Sequence, residues 1–453
     1  MFFFVVCLLF VSATSVAAVC SCNFSSTVSP SDPLFVSCMA LFEGRLLGAA
    51  YDDAAGVTLD GRFLESPSGS LGPVHPFSAP SKESLHLGIL ARALAGDGDA
   101  LLFVLARNCS LDSLASCQKR AQNGEGRNEA LRQLSRKMAS LFDFNSRLPG
   151  YGGFLPWFKL VDGRMVPQDG WEGRVPALDN GEMIWGLAAV SQSLQKSGEE
   201  ALLKQVDAYL ALLASSAKSV FYAGVGSVRA VTKVANETLA NPPASNFASE
   251  GSFLVDPYEG EMFTQFLSLY GEGVTQVETE LMWLVKRPMM QKIAFRNATL
   301  QKGWWFSSHE QWKYMFLPYS DSPTNWKLFI NGEMARTINS ENIPGLFASV
   351  NNVTSPSDPF SPAYFSANGI SQFAFVSSDC CGDTVTPYGA FSVMLANKTA
   401  GLAWWANMAS PRAMHSAYGS MESILTDGTL SCPLLTWDAK ATSFLAALGG
   451  VAD

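Results

Sequence analysis

The sequence predicts a mainly α fold, an α/α toroid with a few short β-hairpins. Three observations favour it. Apolar residues recur at helical spacing in many separate segments. Strand-like runs are few and short, and they do not alternate with the helices as a parallel sheet requires. Helices also follow one another in pairs joined by long loops, with no low-complexity linker and no short repeat. We therefore expect a single helical domain.

The clearest helix is predicted over Lys82–Ala95. Leu87, Leu90, Ala91 and Leu94 lie at i, i+3, i+4 and i+7, and a glycine follows the segment. By the same criteria, further helices are predicted over Asn128–Phe144, Gly181–Lys196, Glu199–Ser216, Asp256–Tyr270, Val274–Ile293, Thr386–Asn397, Gly401–Met408 and Pro411–Tyr418.

Two segments predict β structure. Phe158–Leu160 and Met165–Val166 flank Asp162-Gly163, which is typical of a hairpin. Between Trp304 and Phe347 the pattern changes to short aromatic runs with an Asn-Gly turn, and we expect strands there.

The first residues predict a secreted protein. A hydrophobic stretch of residues 1–18 ends in small residues and is too short to span a bilayer, which is typical of a signal peptide, although it lacks Lys and Arg. We expect cleavage near Ala18, a single domain over residues 19–453, and no membrane association of the mature chain, which we expect to be a monomer.

The cysteines agree with an oxidising compartment. Nine cysteines are present and Cys7 lies in the signal, so an even number remains, which favours disulfides over metal ligation. The spacing of Cys109 and Cys117 favours a local loop, and the adjacent Cys380 and Cys381 are expected to bond two different partners. Glycosylation sequons occur at Asn23, Asn108, Asn236, Asn297, Asn352 and Asn397.

Charge and motifs exclude several classes of function. The net charge of −9 and the pI near 5.1 argue against nucleic acid or an anionic membrane as a partner. No nucleotide-binding glycine loop, HExxH, CxxC or Gly-x-Ser-x-Gly occurs, and the four histidines are scattered. We expect no metal and no cofactor. His86 shares a helix face with apolar residues and is interpreted as a core residue.

The stretch Asp256–Met262 is the first candidate site. Asp-Pro can begin a helix, and Glu259 occupies the capping-box position three residues after Asp256. Glu261 precedes an apolar run. Carboxylates at such a boundary can serve acid–base chemistry because partial desolvation raises a carboxyl pKa. The alternative is a capped helix whose glutamates face water.

Other carboxylates lie in similar surroundings. Asp179 precedes a predicted helix and can cap it or bind sugar hydroxyls. Asp379 lies in a Ser-Ser-Asp-Cys-Cys segment, and Glu422 follows Tyr-Gly-Ser-Met. Asp427 precedes a glycine, where a turn role is more common. Abundant aromatic rings would suit stacking on sugar faces where they are exposed in a cleft.

Several segments resemble one known family. Residues 151–158 (YGGFLPWF), 176–182 (PALDNGE), 257–261 (PYEGE) and 435–440 (LTWDAK) resemble the fungal-type endo-β-1,2-glucanases of glycoside hydrolase family 162. Residues 369–388 are similar to the wider glycoamylase-like group. The resemblance implies an (α/α)6 barrel, a β-glucan substrate, endo-hydrolysis to sophoro-oligosaccharides, and an inverting mechanism without metal.

The resemblance also implies roles for residues. The general acid maps to Glu259 or Glu261, and the base to Asp427, Asp379 or Glu422; both choices stay open. Asp179, Tyr151, Trp157, Tyr258 and Tyr388 are the predicted substrate-binding residues. The alternatives are the same barrel acting on another glucan, a transglycosylase, and a glycan-binding protein without catalysis. An ester hydrolase lacks a nucleophile motif.

Overall fold

Helical residues make up 53% of the residues that the structure describes. A computed structural model describes residues 24, 29–65, 70–75, 77–256, 260–341, 343–353, 360–378 and 382–451. The α-helices within these ranges are α1 (Phe35–Gly44), α2 (Pro80–Leu94), α3 (Gly98–Leu105), α4 (Leu114–Gln122), α5 (Glu125–Arg147), α6 (Ala177–Ser197), α7 (Glu200–Phe221), α8 (Gly260–Tyr270), α9 (Gln276–Lys286), α10 (Trp312–Phe316), α11 (Pro323–Asn339), α12 (Phe391–Ala396), α13 (Lys398–Ala409) and α14 (Ser443–Ala447). None of these helices is both long and apolar enough to cross a membrane.

The strands are short and pair antiparallel in small sheets of two or three. They are β1 (Tyr51–Asp52), β2 (Val57–Thr58), β3 (Gly61–Leu64), β4 (Leu71–Val74), β5 (Phe158–Val161), β6 (Arg164–Pro167), β7 (Arg174–Pro176), β8 (Tyr222–Gly224), β9 (Ser227–Val228), β10 (Val231–Val234), β11 (Phe247–Ser249), β12 (Lys292–Phe295), β13 (Ala298–Gln301), β14 (Val350–Asn351), β15 (Tyr364–Phe365), β16 (Thr384–Val385), β17 (His415–Ser416), β18 (Gly419–Ser420), β19 (Ile424–Leu425) and β20 (Leu434–Thr436).

The helices form an (α/α)6 barrel, as predicted. In the inner layer α2 packs against α6 and α14, α6 against α8 and α10, and α12 against α10 and α14. In the outer layer α5, α7, α9 and α13 pack on α2, α6, α8 and α12. One continuous apolar core runs between the layers. The amino-terminal ends of α2, α6 and α14 lie together, and this end of the barrel carries the site described below.

Two glycines allow the inner helices to approach closely. A Cβ on Gly181 of α6 would lie 2.9 Å from the backbone nitrogen of Phe263 in α8. A Cβ on Gly186 would lie 3.0 Å from Leu87 of α2. Both distances are shorter than ordinary contacts, so a side chain at either position would push the helices apart. The crossing of α6 with its neighbours therefore requires glycine.

Most predicted helices are confirmed, with small shifts at their ends. The hairpin of β5 and β6 is confirmed in register, with Lys159 opposite Val166. His86 is confirmed as a core residue, because it is fully buried and its Nε2 lies 2.9 Å from Gln133 Oε1.

Three expectations are wrong. The predicted strands between Trp304 and Phe347 are largely the helices α10 and α11, because Ser322 caps α11 and Pro323 begins it. Residues 411–418 form a short 3-10 turn and a strand instead of a helix. The predicted helix ending at Ile293 stops at Lys286, and Ile293 pairs with Leu300 in a hairpin.

The cysteines follow the prediction in part. The local disulfide between Cys109 and Cys117 is present. Cys432, however, is a free thiol that is fully buried against Phe63 and Leu434, so it takes no part in the disulfides that the even number of cysteines favours. Cys380 and Cys381 lie outside the described residues, as does the predicted signal peptide.

Candidate active site

A small sheet brings two distant carboxylates together. β20 pairs with β3, with Thr436 opposite Gly61, so Asp60 directly before β3 lies beside Asp438 after β20. The Trp437 backbone nitrogen donates to the Asp60 carbonyl oxygen at 3.2 Å. The indole of Trp437 is fully buried and donates to the Ala50 carbonyl, which fixes the segment that carries Asp438.

One lysine joins the two carboxylates. Lys82 lies in the first turn of α2, and its Nζ is 2.9 Å from Asp438 Oδ2 and 3.4 Å from Asp60 Oδ1. His75, directly after β4, places Nδ1 2.6 Å from Asp60 Oδ2. The Asp438 side chain is 18% exposed and that of Asp60 is 8% exposed, so Asp438 is the more accessible carboxylate. Oδ1 of Asp438 is itself buried and has no hydrogen-bond partner among the described residues, which is typical of a polar atom that waits for a ligand or a water molecule.

Burial and neighbouring charges give the three ionisable groups different proton affinities. Burial raises the pKa of Asp438 above its ordinary value, with Asp60 adding to the rise and Lys82 opposing it. Burial alone would raise the pKa of Asp60, but Lys82 and His75 hold it below its ordinary value. Burial opposes the charge of Lys82, yet both carboxylates raise the pKa of its ammonium group. Asp438 is thus a carboxyl group suited to exchange protons.

An aromatic stack borders this cluster. Asp179, in the first turn of α6, accepts from Ser81 Oγ at 2.6 Å and from Trp157 Nε1 at 3.3 Å. Trp157 is half-buried and stacks between two rings, with centroids 4.9 Å from Phe77 and 4.4 Å from Trp171. The structure therefore brings the predicted residues Asp179 and Trp157 together in one polar and aromatic cluster, in which Phe77 and Trp171 stack on the Trp157 ring.

Glu422 lies nearby, but both of its oxygens are bonded. Oε2 accepts from the Thr436 hydroxyl, and Oε1 accepts from the backbone and side-chain nitrogens of Asn351 at 3.2 Å each. Burial raises the pKa of Glu422, although these bonds oppose the rise. Glu422 links β14 to β20, and its role as the base stays a prediction that these contacts count against.

Asp427 lies apart from the cluster. It is exposed in a turn, where one carboxylate oxygen accepts from the backbone nitrogen and hydroxyl of Thr429. These hydrogen bonds lower the pKa of Asp427. The geometry is that of a turn residue, and the base role predicted for Asp427 has no support from it.

Glu261 is buried in an ion pair. Its Oε2 is 2.7 Å from Lys313 Nζ of α10, and both side chains are only 4% exposed. The Tyr319 hydroxyl also hydrogen-bonds Glu261, and burial together with this carboxylate raises the pKa of Tyr319. The role of Glu261 as the acid stays a prediction, against which its full engagement counts.

In the first candidate stretch, residues 256–262, the structure describes Asp256 and the residues from Gly260 onward. Asp256 Oδ2 accepts from the Gly260 backbone nitrogen at 2.8 Å, so Asp256 caps α8. Glu259 and Tyr258 lie outside the described residues, as does Asp379. Their predicted roles stay predictions.

The predicted substrate-binding residues Tyr151 and Tyr388 lie in the core. Tyr151 is fully buried, and its hydroxyl donates to Glu237 Oε1 at 2.7 Å. Tyr388 is 3% exposed, and its hydroxyl accepts from Trp312 Nε1 at 2.6 Å. Direct contact of either residue with a sugar stays a prediction without support from this geometry.

Asp60, His75, Lys82 and Asp438 were missed as candidates, although Trp437-Asp438 lies in a family-like segment. One signal was available: Asp438 is a carboxylate that follows a strand and begins a helical turn, as Asp179 does. Within the described ranges, no group of three or more His, Cys, Asp or Glu residues could hold a metal ion.

The chain is similar to solved endo-β-1,2-glucanases. A glutamate-to-glutamine mutant of the enzyme from Talaromyces funiculosus, in complex with β-1,2-glucan, shares 36% identity at a TM-score of 0.86, covering 95% of this chain and 88% of that chain. The same enzyme in complex with sophorose gives 36% identity, a TM-score of 0.85 and the same coverage. No curated protein matches the sequence.

More distant structures share the fold. The endo-β-1,2-glucanase from Chitinophaga pinensis, in complex with sophorotriose and glucose, is 13% identical at a TM-score of 0.61, covering 93% of both chains. The sequence profile of the endo-β-1,2-glucanase SGL family matches residues 57–453. This range contains every residue of the carboxylate cluster. The chain therefore belongs to the endo-β-1,2-glucanase SGL family, glycoside hydrolase family 162, and is a glycoside hydrolase that acts on β-1,2-glucan.

Proposed function

We propose that the chain cleaves internal bonds of β-1,2-glucan with inversion at the anomeric carbon, and that Asp438 is the general base. The observation that carries this proposal is the hydrogen bonding of the two Asp438 carboxylate oxygens. Lys82 holds Oδ2, whereas Oδ1 has no partner among the described residues. The Asp438 carboxylate also interacts electrostatically with Asp179, which accepts a hydrogen bond from the indole of Trp157.

The reaction needs two carboxyl groups. Asp438 takes a proton from a water molecule while the water oxygen bonds to the anomeric carbon. The bond from that carbon to the glycosidic oxygen breaks, and a carboxylic acid donates a proton to the departing oxygen. The products are two shorter glucans, one with a new reducing end, and the acid is regenerated by proton exchange with solvent.

The donor of the second proton is Glu259 or Glu261. Glu261 is held by Lys313 and Tyr319, which suits a residue that supports the start of α8. Glu259 is therefore the preferred acid in this proposal. The substitutions Glu259→Gln and Glu261→Gln separate the two, because the acid variant loses turnover on glucan at every pH while the fold persists. Near-full activity of both variants would exclude both assignments.

The substrate is tested by release of reducing ends from linear β-1,2-glucan, laminarin and cellulose. We expect sophoro-oligosaccharides from the first and no release from the other two. Release from another glucan alone would contradict the proposed linkage. Products longer than the substrate would indicate transglycosylation, and binding without turnover would indicate a glycan-binding protein. The anomer formed first, followed by proton NMR, tests inversion.

The base is tested with a matched pair of substitutions. Asp438→Asn should lower kcat by about 10²–10⁴-fold, because a positioned general base contributes an acceleration of that size. Asp427→Asn is the control, because Asp427 is exposed and its carboxylate accepts hydrogen bonds from Thr429 of the same turn. The proposal fails if Asp427→Asn abolishes activity and Asp438→Asn leaves it intact.

We also propose that the protein is secreted and monomeric. The signal-like start, the Cys109–Cys117 disulfide and the exposed sequons at Asn108, Asn297 and Asn397 support secretion. Expression in a eukaryotic host tests it: the mature protein should appear in the medium with its first residue near Val19 and should lose mass on removal of N-glycans. Light scattering of that material tests the monomer.

A further inference from the structure

The titratable groups that interact electrostatically with Asp438 come from several elements. They are Lys82 of α2, Asp60 before β3, Asp179 of α6, Tyr364 of β15 and Glu422 after β18. Lys82 is the only one of these that carries positive charge, while Asp60 and Asp179 carry like charge. A carboxylate among other carboxylates takes up a proton readily, and a protonated Asp438 cannot act as a base.

The Lys82 ammonium group is largely buried and paired with two carboxylates. Its side chain is only 11% exposed, and its Nζ lies between Asp438 at 2.9 Å and Asp60 at 3.4 Å. Asp60 is held in turn by His75 at 2.6 Å and by its backbone nitrogen, which donates to the Phe77 carbonyl at 2.9 Å. Two sheet-anchored residues thus fix the lysine that reaches Asp438.

We propose that Lys82 is a positioning residue that keeps the Asp438 carboxylate ionised and ready to accept a proton, and that Asp60 and His75 hold Lys82 in place. This inference rests on the proposed role of Asp438 as the base. It assigns to Lys82 an electrostatic task that is separate from substrate contact and from packing. The charge of Lys82, rather than its shape, is therefore the property that matters.

The test compares the pH dependence of kcat/KM for the wild type, Lys82→Met and Lys82→Arg on β-1,2-glucan. Lys82→Met keeps the length of the side chain and removes its charge, so the acidic limb should move to higher pH by more than about one unit. At pH 4.5 the loss should exceed about tenfold and shrink toward pH 8. Lys82→Arg should keep the limb near its wild-type position. A pH-independent loss in Lys82→Met, or an unmoved limb, overturns the proposal.

Asp60→Asn supplies a second test, because the asparagine Oδ1 can still accept from Lys82 and keep the lysine in place while the negative charge is lost. Removal of this negative charge favours ionisation of Asp438, so the acidic limb should move to lower pH. Electrostatic positioning thus predicts shifts of opposite sign for Lys82→Met and Asp60→Asn. Shifts of the same sign contradict it.

A direct titration separates this inference from the proposed function. The full-length protein is labelled with ¹³C at the aspartate carboxyl groups, and the Asp438 signal is identified as the one lost in Asp438→Asn. Its midpoint should rise in Lys82→Met relative to the wild type. This shift is measurable even if β-1,2-glucan is not cleaved. An unchanged midpoint overturns the role of Lys82, whereas absent cleavage overturns the function alone.

Discussion

Substitution of Lys313 by Met should destabilise the protein far more than removal of an exposed lysine. Lys313 and Glu261 form an ion pair at 2.7 Å with 4% of each side chain exposed. Loss of one partner leaves the other charge buried, which costs about 3–5 kcal/mol. The Lys313 ammonium also lies 4.6 Å from the Tyr319 ring, and this contact is lost as well.

The expected shift in melting temperature follows from the size of the chain. About 400 residues are described, and an unfolding entropy near 2.1 cal/mol/K per residue gives ~0.8 kcal/mol/K for the whole domain. A loss of 3–5 kcal/mol then lowers Tm by about 4–6 °C. Differential scanning calorimetry at a fixed scan rate and protein concentration measures this change.

Lys159→Met is the control for Lys313→Met. Lys159 pairs with Asp169 at the surface, where the side chains are 33% and 77% exposed, and such a pair contributes about 0–1 kcal/mol. The double substitution Glu261→Gln with Lys313→Met should recover about 1–3 kcal/mol relative to the sum of the single substitutions. The reasoning is refuted if Lys313→Met and Lys159→Met lower Tm equally.

Three further outcomes are expected. Burial raises the pKa of Glu310 from about 4.5 to about 7 against three backbone hydrogen bonds. Between pH 4.5 and pH 7 the folded state therefore binds more protons at Glu310 than the unfolded state does. The free energy of unfolding should rise by up to about 3 kcal/mol as pH falls from 8 to 4.5. Glu310→Gln should flatten this pH dependence in denaturant titrations. Replacing Cys109 and Cys117 by Ala should cost about 2–3 kcal/mol, because the disulfide closes a short loop with a separation of 8 residues; a denaturant midpoint equal to the wild type would contradict this. Trp157→Ala should raise KM for β-1,2-glucan about tenfold with a smaller effect on kcat, and an unchanged KM would remove Trp157 from the substrate surface.

The inner helices were predictable because their signals are local. The periodicity of α2 and the segment around Asp179 that begins α6 are set by residues close in sequence. The helix α11 was missed because its local signal points to a turn instead of a helix. Its Asn331-Gly332 pair is typical of a turn, but Asn331 donates from its side chain to the Thr299 carbonyl at 2.7 Å, which ties this part of α11 to β13. Tertiary contacts override the local preference there.

The site was predictable only in part because it depends on distant pairing. Asp179 and Trp157 were identified from their surroundings, and they do lie together. Asp438 was not identified, since its partner Asp60 and the lysine between them become neighbours only through the pairing of β3 with β20. No periodicity or spacing in one sequence reports that pairing. Conversely, Tyr151 lies in a family-like motif yet serves the core through Glu237.

The pairing of β3 with β20 has a consequence for how the protein matures. Lys82 and Asp438 are 356 positions apart, and the buried pair of Glu43 and Lys440 spans 397 positions. Both contacts join α1 or α2 to the residues that follow β20, so neither can form before β20 and the turn after it have been synthesised. Contacts of such long range form slowly and late. In a chain that stops before β20, Lys82 would lack Asp438 and Glu43 would lack Lys440. We expect chaperones and proteases to bind such a chain.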